Sequence, residues 1–463
     1  MAFACLAYAQ TPAQSAQQYQ RLARDIFQEL VEIKSTESGV GSTPAAQSVA
    51  RRLISAGFPT ADVQVIGPNE RKKNLVAHLH GKRASRPILL LAHLDVVEAH
   101  REDWSPDLDP FKFVERDGYF YGRGTQDIKD GAAILTANFI RWKQEGWVPE
   151  RDLILALTAD EEIGGDANGV KWLLENHREL IDAEYCLNTD AGDFRSRGGS
   201  PYIVALAAAE KKSTALQLQT TNRGGHGSLP RRDNAIYELA AALVRLSKLD
   251  FPVMLSEVTR AQLERMAMLE SGQLAADMKA VAQNANDLAA VARLSENPFY
   301  NALLRTTCVA AQVEGGHATN ALPQRATAVL NCRILPGHDP EDVLLTVKHV
   351  IADEQIEVKW KYLEPRNWPA SPLRPELLAT MEKIAKELWP GVSVVPVLET
   401  GGSDGRFLSG NGIPTYGLSG VFIDQGDERM HGRDERIRVR DFYGGLEFYN
   451  RFVRALAGRP GGA

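Results

Sequence analysis

Residues 87–97 read PILLLAHLDVV, an apolar run that takes His93 and Asp95 into its last positions. Alternate side chains of a strand project to opposite faces, so two polar groups spaced by two share a face where the run stops being buried. A carboxylate beside an imidazole fixes its tautomer and raises its basicity, as around a metal-ligating histidine. A core histidine paired with a core aspartate satisfies the same spacing, so the segment alone leaves both readings open.

Outward from this run the chain alternates. Two amphipathic helices precede it, one near residues 16–33 and one from Pro44, capped by Thr43 and closed before Gly57. The strand NLVAHLHG comes before the run. After it come the helix AAILTANFIRWKQEG, the strand DLILALTADEE, the helix NGVKWLLENH and the strand EYCLNTDAG. Continuous apolar strands separated by helical patterns predict an α/β fold, a mainly parallel sheet sandwiched by helices. A second rhythm starts near Pro201, with strands in IVALAAAEKKSTALQLQTT, a helix over 234–248, strands in TTCVAAQVEGG and RATAVLNCRILPG, a helix over 341–353 and the strand QIEVKWKYLE. The expected organisation is a catalytic domain over 13–201 and 372–463, split by an inserted α+β lid over 202–371 with a helical insertion at about 256–295.

The chain has 463 residues and a formal net charge of -6, too long for one core and without an extended basic run. Nucleic acid is thereby disfavoured as a partner. No apolar stretch is long enough to span a bilayer, so no membrane partner is expected. Cys5, Cys186, Cys308 and Cys332 lack C-x-x-C spacing, which indicates neither a zinc ribbon nor a disulfide framework. Any metal must then be held by His and carboxylate. Residues 1–12 read as a signal remnant, with Ala7-Tyr8-Ala9 before Gln10 resembling a cleavage site. That reading makes the protein exported, periplasmic or secreted; without it the chain is cytoplasmic.

Ligands in open α/β sheets collect beyond the carboxyl ends of the strands, where this chain places acids and histidines repeatedly. After His93 and Asp95, the turn YGRGTQDIKDG delivers Asp127, TADEEIGG carries Glu161 and Glu162, CLNTDAGD carries Asp190, and DERMHGRDE carries His431. A lone acid at a strand-to-helix junction is ordinarily a helix cap, and a lone histidine between charges is ordinarily on the surface. Their joint recurrence at five such positions favours a site holding two metals. Asp127, Glu162 and Asp190 supply three negative charges against the four of two divalent cations, and His93 and His431 add neutral nitrogens. This donor set suits two Zn2+, with Co2+ or Mn2+ as substitutes. Two such ions about 3.5–4 Å apart, sharing a carboxylate and a water, generate a nucleophile and polarise a carbonyl. Glu161, beside a ligand but free of metal, suits the base that takes the water's proton.

This constellation resembles the M20 family of metallopeptidases, in the branch of carboxypeptidase S, N-acyl-amino-acid hydrolases and aminoacylases. HLDVV, GRGTQDIKDG and TADEEIGG are similar to the family's H-x-D, G-R-G-x-x-D-x-K and E-E-x-G segments. The resemblance implies a zinc-exopeptidase-like fold with a lid that can form homodimers. It implies His93, Asp127, Glu162, Asp190 and His431 as metal ligands with Asp127 bridging, Asp95 orienting His93, and Glu161 as general base. It further implies substrate-binding roles for His226 of GGHGSLP, which would stabilise the oxyanion, for Asn320 and Arg333, and for Gly402 and Ser403 of LETGGSDGRF. Arg333 suits a bidentate clamp on a free α-carboxylate, although a strand-surface ion pair is its ordinary alternative. The chain departs from the family in reading Lys129-Asp130-Gly131 where K-G or K-G-G is usual, which adds a carboxylate near the turn.

The activity expected is hydrolysis of the amide bond beside a free carboxylate, releasing an amino acid from a small peptide or N-acyl-amino acid. A deacylase of acetylornithine deacetylase or aminoacylase type differs only in the acyl group. A non-catalytic metal-binding module would lack Glu161 or a ligand, and none is missing. Gly122-Arg123-Gly124 lacks the rest of a dinucleotide fingerprint. Gly402-Ser403-Asp404-Gly405 and Gly417-Leu418-Ser419-Gly420 both fail the G-x-S-x-G pattern of serine hydrolases.

Overall fold

Three neighbouring strands, Leu153–Thr158, Ile88–His93 and Tyr185–Asn188, are buried along their whole length in the computed structural model, which describes residues 12–363 and 368–458. They pair in parallel, as expected of strands apolar on both faces. Leu89, Leu90 and Leu91 are each at most 1% exposed, and burying a side chain of this size contributes about 2 kcal/mol. Around these strands the sheet runs in the order Val63–Ile66, Asn74–Leu79, Leu153–Thr158, Ile88–His93, Tyr185–Asn188, Thr415–Gly417, Ser200–Glu210, Phe194–Arg197 and Phe422–Asp424. The parallel centre includes Thr415–Gly417, whereas the edge pairs Val63–Ile66 with Asn74–Leu79 and Asn74–Leu79 with Leu153–Thr158 are antiparallel. The fold is α/β with a mainly parallel sheet.

Helix Lys129–Gln144 is buried at every residue from Lys129 to Ile140. A helix apolar nearly all round belongs inside, and Trp142 there donates from Nε1 to Asn450 Oδ1 at 3.0 Å, tying it to the terminal helix Val439–Ala457. The second helix is Thr43–Ser55. Its cap position falls on Ser42 rather than on the expected Thr43, and neither side chain caps it: Ser42 Oγ donates to the Lys73 carbonyl, and Thr43 Oγ1 accepts from Lys73 N–H. Pro44 opens the helix without needing a donor, as its missing N–H allows.

The chain divides into two units. The first takes the residues up to Leu206 with Arg374–Val394 and Ile413 onward; the second takes Ala207–Leu373 and Val395–Gly412. The sequence reading kept 372–463 together, but Val395–Gly412, which carries the GGSDG loop, groups with the inserted unit. This unit contains a four-stranded antiparallel sheet in the order Thr307–Gly315, Arg325–Ile334, Lys212–Thr221, Glu357–Tyr362. Helices Ala235–Leu246 and Pro340–Ile351 join it in one apolar core. The helical insertion comprises Glu257–Ala267, Gly272–Gln283, Leu288–Ser295 and a further helix, Pro298–Leu304. It holds its own cluster of Leu263, Met278, Val281, Ala290 and Leu294.

Cysteine spacing indicates no disulfide framework, yet Cys308 and Cys332 form a bond across strands Thr307–Gly315 and Arg325–Ile334. Strand register, not spacing along the chain, makes these two directly opposite neighbours. Cys186 is buried and lies outside the disulfide. No helix among the described residues is long and apolar enough to cross a membrane. The expected signal segment lies outside the described residues apart from Pro12, the first residue of helix Pro12–Glu32.

Candidate metal centre

His93 closes its strand at 2% exposure. Its Nδ1 lies 3.0 Å from the Asp95 carbonyl oxygen, an acceptor only, so Nδ1 carries a proton and Nε2 is turned to the carboxylates. Nε2 lies 3.0 Å from Asp127 Oδ1 and 3.9 Å from Asp190 Oδ2. The Asp95 carboxylate is 3.7 Å from Nδ1 and does other work: it accepts the backbone N–H of Glu161 at 3.2 Å and of Glu162 at 3.1 Å. Asp95 therefore orients His93 through its main chain and fixes the glutamate pair through its side chain.

Asp127 presents one oxygen to each histidine, Oδ1 to His93 and Oδ2 to His431 Nε2 at 3.0 Å. His431 Nε2 also lies 3.0 Å from Glu162 Oε2. Donor atoms of His93, Asp127 and Glu162 all lie within 4.8 Å of one another, as do those of His93, Glu161 and Asp190. Two ligands at zinc bond lengths on a tetrahedral centre are about 3.3 Å apart. The shortest spacings here come near that figure, and the donors are the His and carboxylate types zinc accepts, so the residues fit divalent-cation binding.

The electrostatics point the same way. Burial opposes protonation of His93, but Asp127, Asp190 and Asp95 outweigh it and hold the imidazole well above its usual range. Hydrogen bonds to Asp127 and Glu162 lift His431 to about 10. Burial would raise Asp127, yet the two histidines hold it well below the usual carboxylate range. Burial raises Asp95 to about 6. Acids packed this tightly on two imidazoles make a cluster of negative potential that a cation would offset.

Local chemistry explains how each group is delivered. Gly122 and Gly124 have φ of 152° and 86°; a Cβ on Gly122 would meet Val31 at 2.4 Å, and one on Gly124 would meet Val96 at 2.8 Å. Only glycine makes that turn before Asp127. The glutamate pair follows Asp160, which has φ of 64° and is held by Lys72 Nζ at 2.7 Å. Lys72 also reaches Glu37 at 2.9 Å, and Asn74 Oδ1 accepts the N–H of Ala159 at 2.9 Å. Asp190 follows strand Tyr185–Asn188, and its N–H donates to Asn188 Oδ1. Asp130, the departure from the family pattern, points into the protein at 2% exposure, where burial pushes its carboxyl well up.

All seven residues expected at the metal site lie in the first unit, and the five expected substrate contacts lie in the second. Within the second unit His226 and Asn320 come together: His226 pairs with Ala321, and Gly227 N–H donates to the Asn320 carbonyl at 2.7 Å. His226 Nδ1 accepts the Ser228 N–H at 3.2 Å, which leaves the proton on the exposed Nε2. Arg333 lies on strand Arg325–Ile334, where Nε donates to Asn331 Oδ1 at 3.3 Å. Among the described residues it makes no carboxylate ion pair, so the ordinary alternative for this arginine is not realised. Ser403 is fixed by Glu210, which accepts its N–H at 2.8 Å and its hydroxyl at 2.7 Å. A Cβ on Gly402 would lie 3.2 Å from the Lys211 carbonyl.

Sequence reasoning missed the residues that hold the ligand loops, above all Arg123, Gln126 and Glu435. Glu435 sits in the run DERMHGRDE, where so many charges read as a solvated surface, yet it is fully buried.

The chain is similar to several known proteins. The model of peptidase family M20/M25/M40 matches residues 89–455. The N-fatty-acyl-amino acid synthase/hydrolase PM20D1 of Homo sapiens is 30% identical over 379 residues, 78% of this chain and 72% of that protein. The probable carboxypeptidase S-like 2 of Dictyostelium discoideum is 27% identical over 383 residues, 80% of this chain and 71% of that protein. The crystal structure of the M20 family metallo-carboxypeptidase Sso-CP2 from Sulfolobus solfataricus superposes with a TM-score of 0.68 at 16% identity, covering 93% of this chain and 98% of that one. With the family model spanning every strand end that carries a candidate ligand, this chain is a member of peptidase family M20/M25/M40, a family of metallopeptidases and amidohydrolases.

Proposed function

We propose that the protein hydrolyses the amide bond beside a free carboxylate, releasing an amino acid from a small peptide or an N-acyl-amino acid. The observation that carries this reading is Asp127, with one oxygen 3.0 Å from His93 Nε2 and the other 3.0 Å from His431 Nε2. His93, Asp127, Glu162, Asp190 and His431 would hold two divalent cations, zinc by their donor chemistry. Such cations, when bound, activate water at neutral pH and polarise a carbonyl. Glu161 takes the proton from the attacking water and returns it to the leaving nitrogen. Asp95 keeps Glu161 and Glu162 in place through their backbone N–H groups. In the second unit, the Nε2–H of His226 donates to the developing oxyanion, Arg333 clamps the carboxylate, and Asn320, Gly402 and Ser403 line the substrate.

Elemental analysis together with turnover of a panel of dipeptides and N-acyl-amino acids tests the reading. The expected result is two metals per chain, activity lost on chelation, and a requirement for a free carboxylate. Arg333→Ala should raise KM for free-carboxylate substrates by a factor of about 10–100, from the loss of a charge-assisted hydrogen bond, and leave amidated ones nearly unchanged. Equal effects on both would reject the clamp. The N-acyl-amino-acid arm has its own support in the likeness to PM20D1, and the ratio of acyl to peptide turnover decides between the two.

We also propose a homodimer through the second unit. Strand Thr307–Gly315 is a sheet edge with Val309 64% and Val313 66% exposed, and helix Ala235–Leu246 leaves Tyr237 and Val244 exposed. An apolar edge of this kind invites pairing with a second copy. Light scattering should give a dimer mass that Val313→Lys halves. The Cys308–Cys332 disulfide supports export to an oxidising compartment.

A further inference from the structure

Glu435 takes no part in the chemistry above, yet its buried carboxylate is committed to a turn 308 to 312 residues away in sequence. Oε2 accepts from Arg123 Nη1 at 2.5 Å and from Gly124 N–H at 3.1 Å. Oε1 accepts from Gln126 N–H at 2.7 Å and from Asp127 N–H at 3.3 Å. The Glu435 carbonyl accepts a further N–H, that of Gly122, at 3.1 Å. Arg123 reaches back with Nη2 to the carbonyls of His431 at 3.3 Å and Gly432 at 3.0 Å.

These contacts join two loops that the Gln126 side chain also links, donating to the carbonyls of Asp427 and Arg436 and accepting the Arg429 N–H. One delivers Asp127 and the other His431, and neither group sits inside a helix or strand. His431 has φ of 61°, a conformation a histidine keeps only when its surroundings impose it. The one direct contact between the two ligands, Asp127 Oδ2 to His431 Nε2 at 3.0 Å, is a contact between donor atoms that a cation would take over. The Glu435 charge is offset by Arg123 and by a concave row of backbone N–H groups, so the carboxylate can sit beside Asp127 and still hold its turn.

We propose that Glu435 is a positioning residue of the metal centre: with Arg123 it locks the Asp127 turn to the His431 loop, so that both ligands are set at their spacing before metal arrives. The inference rests on the metal-binding reading of the site, and its test separates the two. Glu435→Gln is nearly isosteric and still accepts at one oxygen, but it turns an amide N–H toward Arg123 and Gly124. The protein, stripped of metal and refilled with zinc, is titrated against a chromophoric chelator, and its cobalt form is followed by absorption. Glu435→Gln should weaken metal affinity about 10- to 100-fold, the usual effect of removing an outer hydrogen-bond partner, shift the cobalt bands, and lower kcat at limiting zinc with KM unchanged. Excess zinc should restore most of kcat. Arg123→Lys, which keeps the charge but cannot bridge to the His431 and Gly432 carbonyls, should reproduce the loss, and it takes over the test if Glu435→Gln does not fold. A folded variant with wild-type zinc affinity and cobalt spectrum, or one that loses only melting temperature, overturns the role. Wild-type protein that binds no metal overturns the site reading itself.

Discussion

At the scale of the residue, Glu161 and Asp95 show how one contact divides the labour of a site. Asp95 comes two residues after His93, the spacing that suggested a carboxylate backing a ligand, but its carboxylate accepts from Glu161 and Glu162 while its carbonyl backs the histidine. The glutamate pair thus has a fixed backbone and only its side chains left to place. Glu162 lies against His431, and Glu161 shares a donor cluster with His93 and Asp190. Glu161→Gln keeps the size of the side chain and removes its basicity, so kcat should fall by a factor of about 10² to 10⁴, the usual worth of a positioned base. Both metals should remain by elemental analysis; loss of one would make Glu161 a ligand instead. The groups that would do chemistry were legible in sequence because they end apolar strands or follow glycine turns. The groups that hold them were not. Glu435 looks like any acid in a charged loop until the Asp127 turn folds around it, and no local pattern encodes a partner 308 residues away.

At the scale of the element, strands buried on both faces announced themselves as continuous apolar runs, and the long helices as amphipathic periods. What escaped was short or depended on partners. Helix Pro298–Leu304 has seven residues, too few for a period to show. Its end is met by Lys211, from the corner between strands Ser200–Glu210 and Lys212–Thr221, whose Nζ donates to the carbonyls of Ala302 and Arg305 at 2.9 Å each. Lys211 is 1% exposed, and burial, with the positive Arg333 nearby, pulls its pKa down to about 7. The sign follows from proton counts. Between pH 7 and the ordinary lysine value the unfolded chain holds a proton that the folded chain has released, so stability rises with pH across that window; below pH 7 both states are protonated and the effect is flat. Going from pH 7 to 9 should therefore stabilise the second unit by on the order of 2 kcal/mol relative to Lys211→Met. Parallel denaturant titrations of the two proteins check this, and identical pH slopes would mean that Lys211 stays charged. A neutral Lys211 also leaves Arg333 without a competing cation beside it, which would suit the clamp proposed for that arginine.

At the scale of the whole molecule, the disulfide and the proposed export make one argument. Cys308 and Cys332 lie 24 residues apart and directly opposite on neighbouring strands. Closing a loop of that length stabilises by roughly 3 kcal/mol in the chain-entropy account, which for a unit of this size raises the melting temperature by about 6–12 °C. Such a bond persists in an oxidising compartment and is kept reduced in a mesophilic cytosol. Export with processing after Ala9 would remove Cys5 and leave Cys186 as the single thiol. Protein recovered from outside the cytoplasm should therefore show one titratable thiol after denaturation without reductant and three after reduction. Its intact mass should begin at Gln10, and reduction should lower the melting temperature of the second unit. A protein whose four cysteines all titrate without reductant, with residues 1–9 still attached, is a cytosolic enzyme; its Cys308–Cys332 neighbourhood is then only the consequence of strand register, and the second unit must hold together through its apolar core alone.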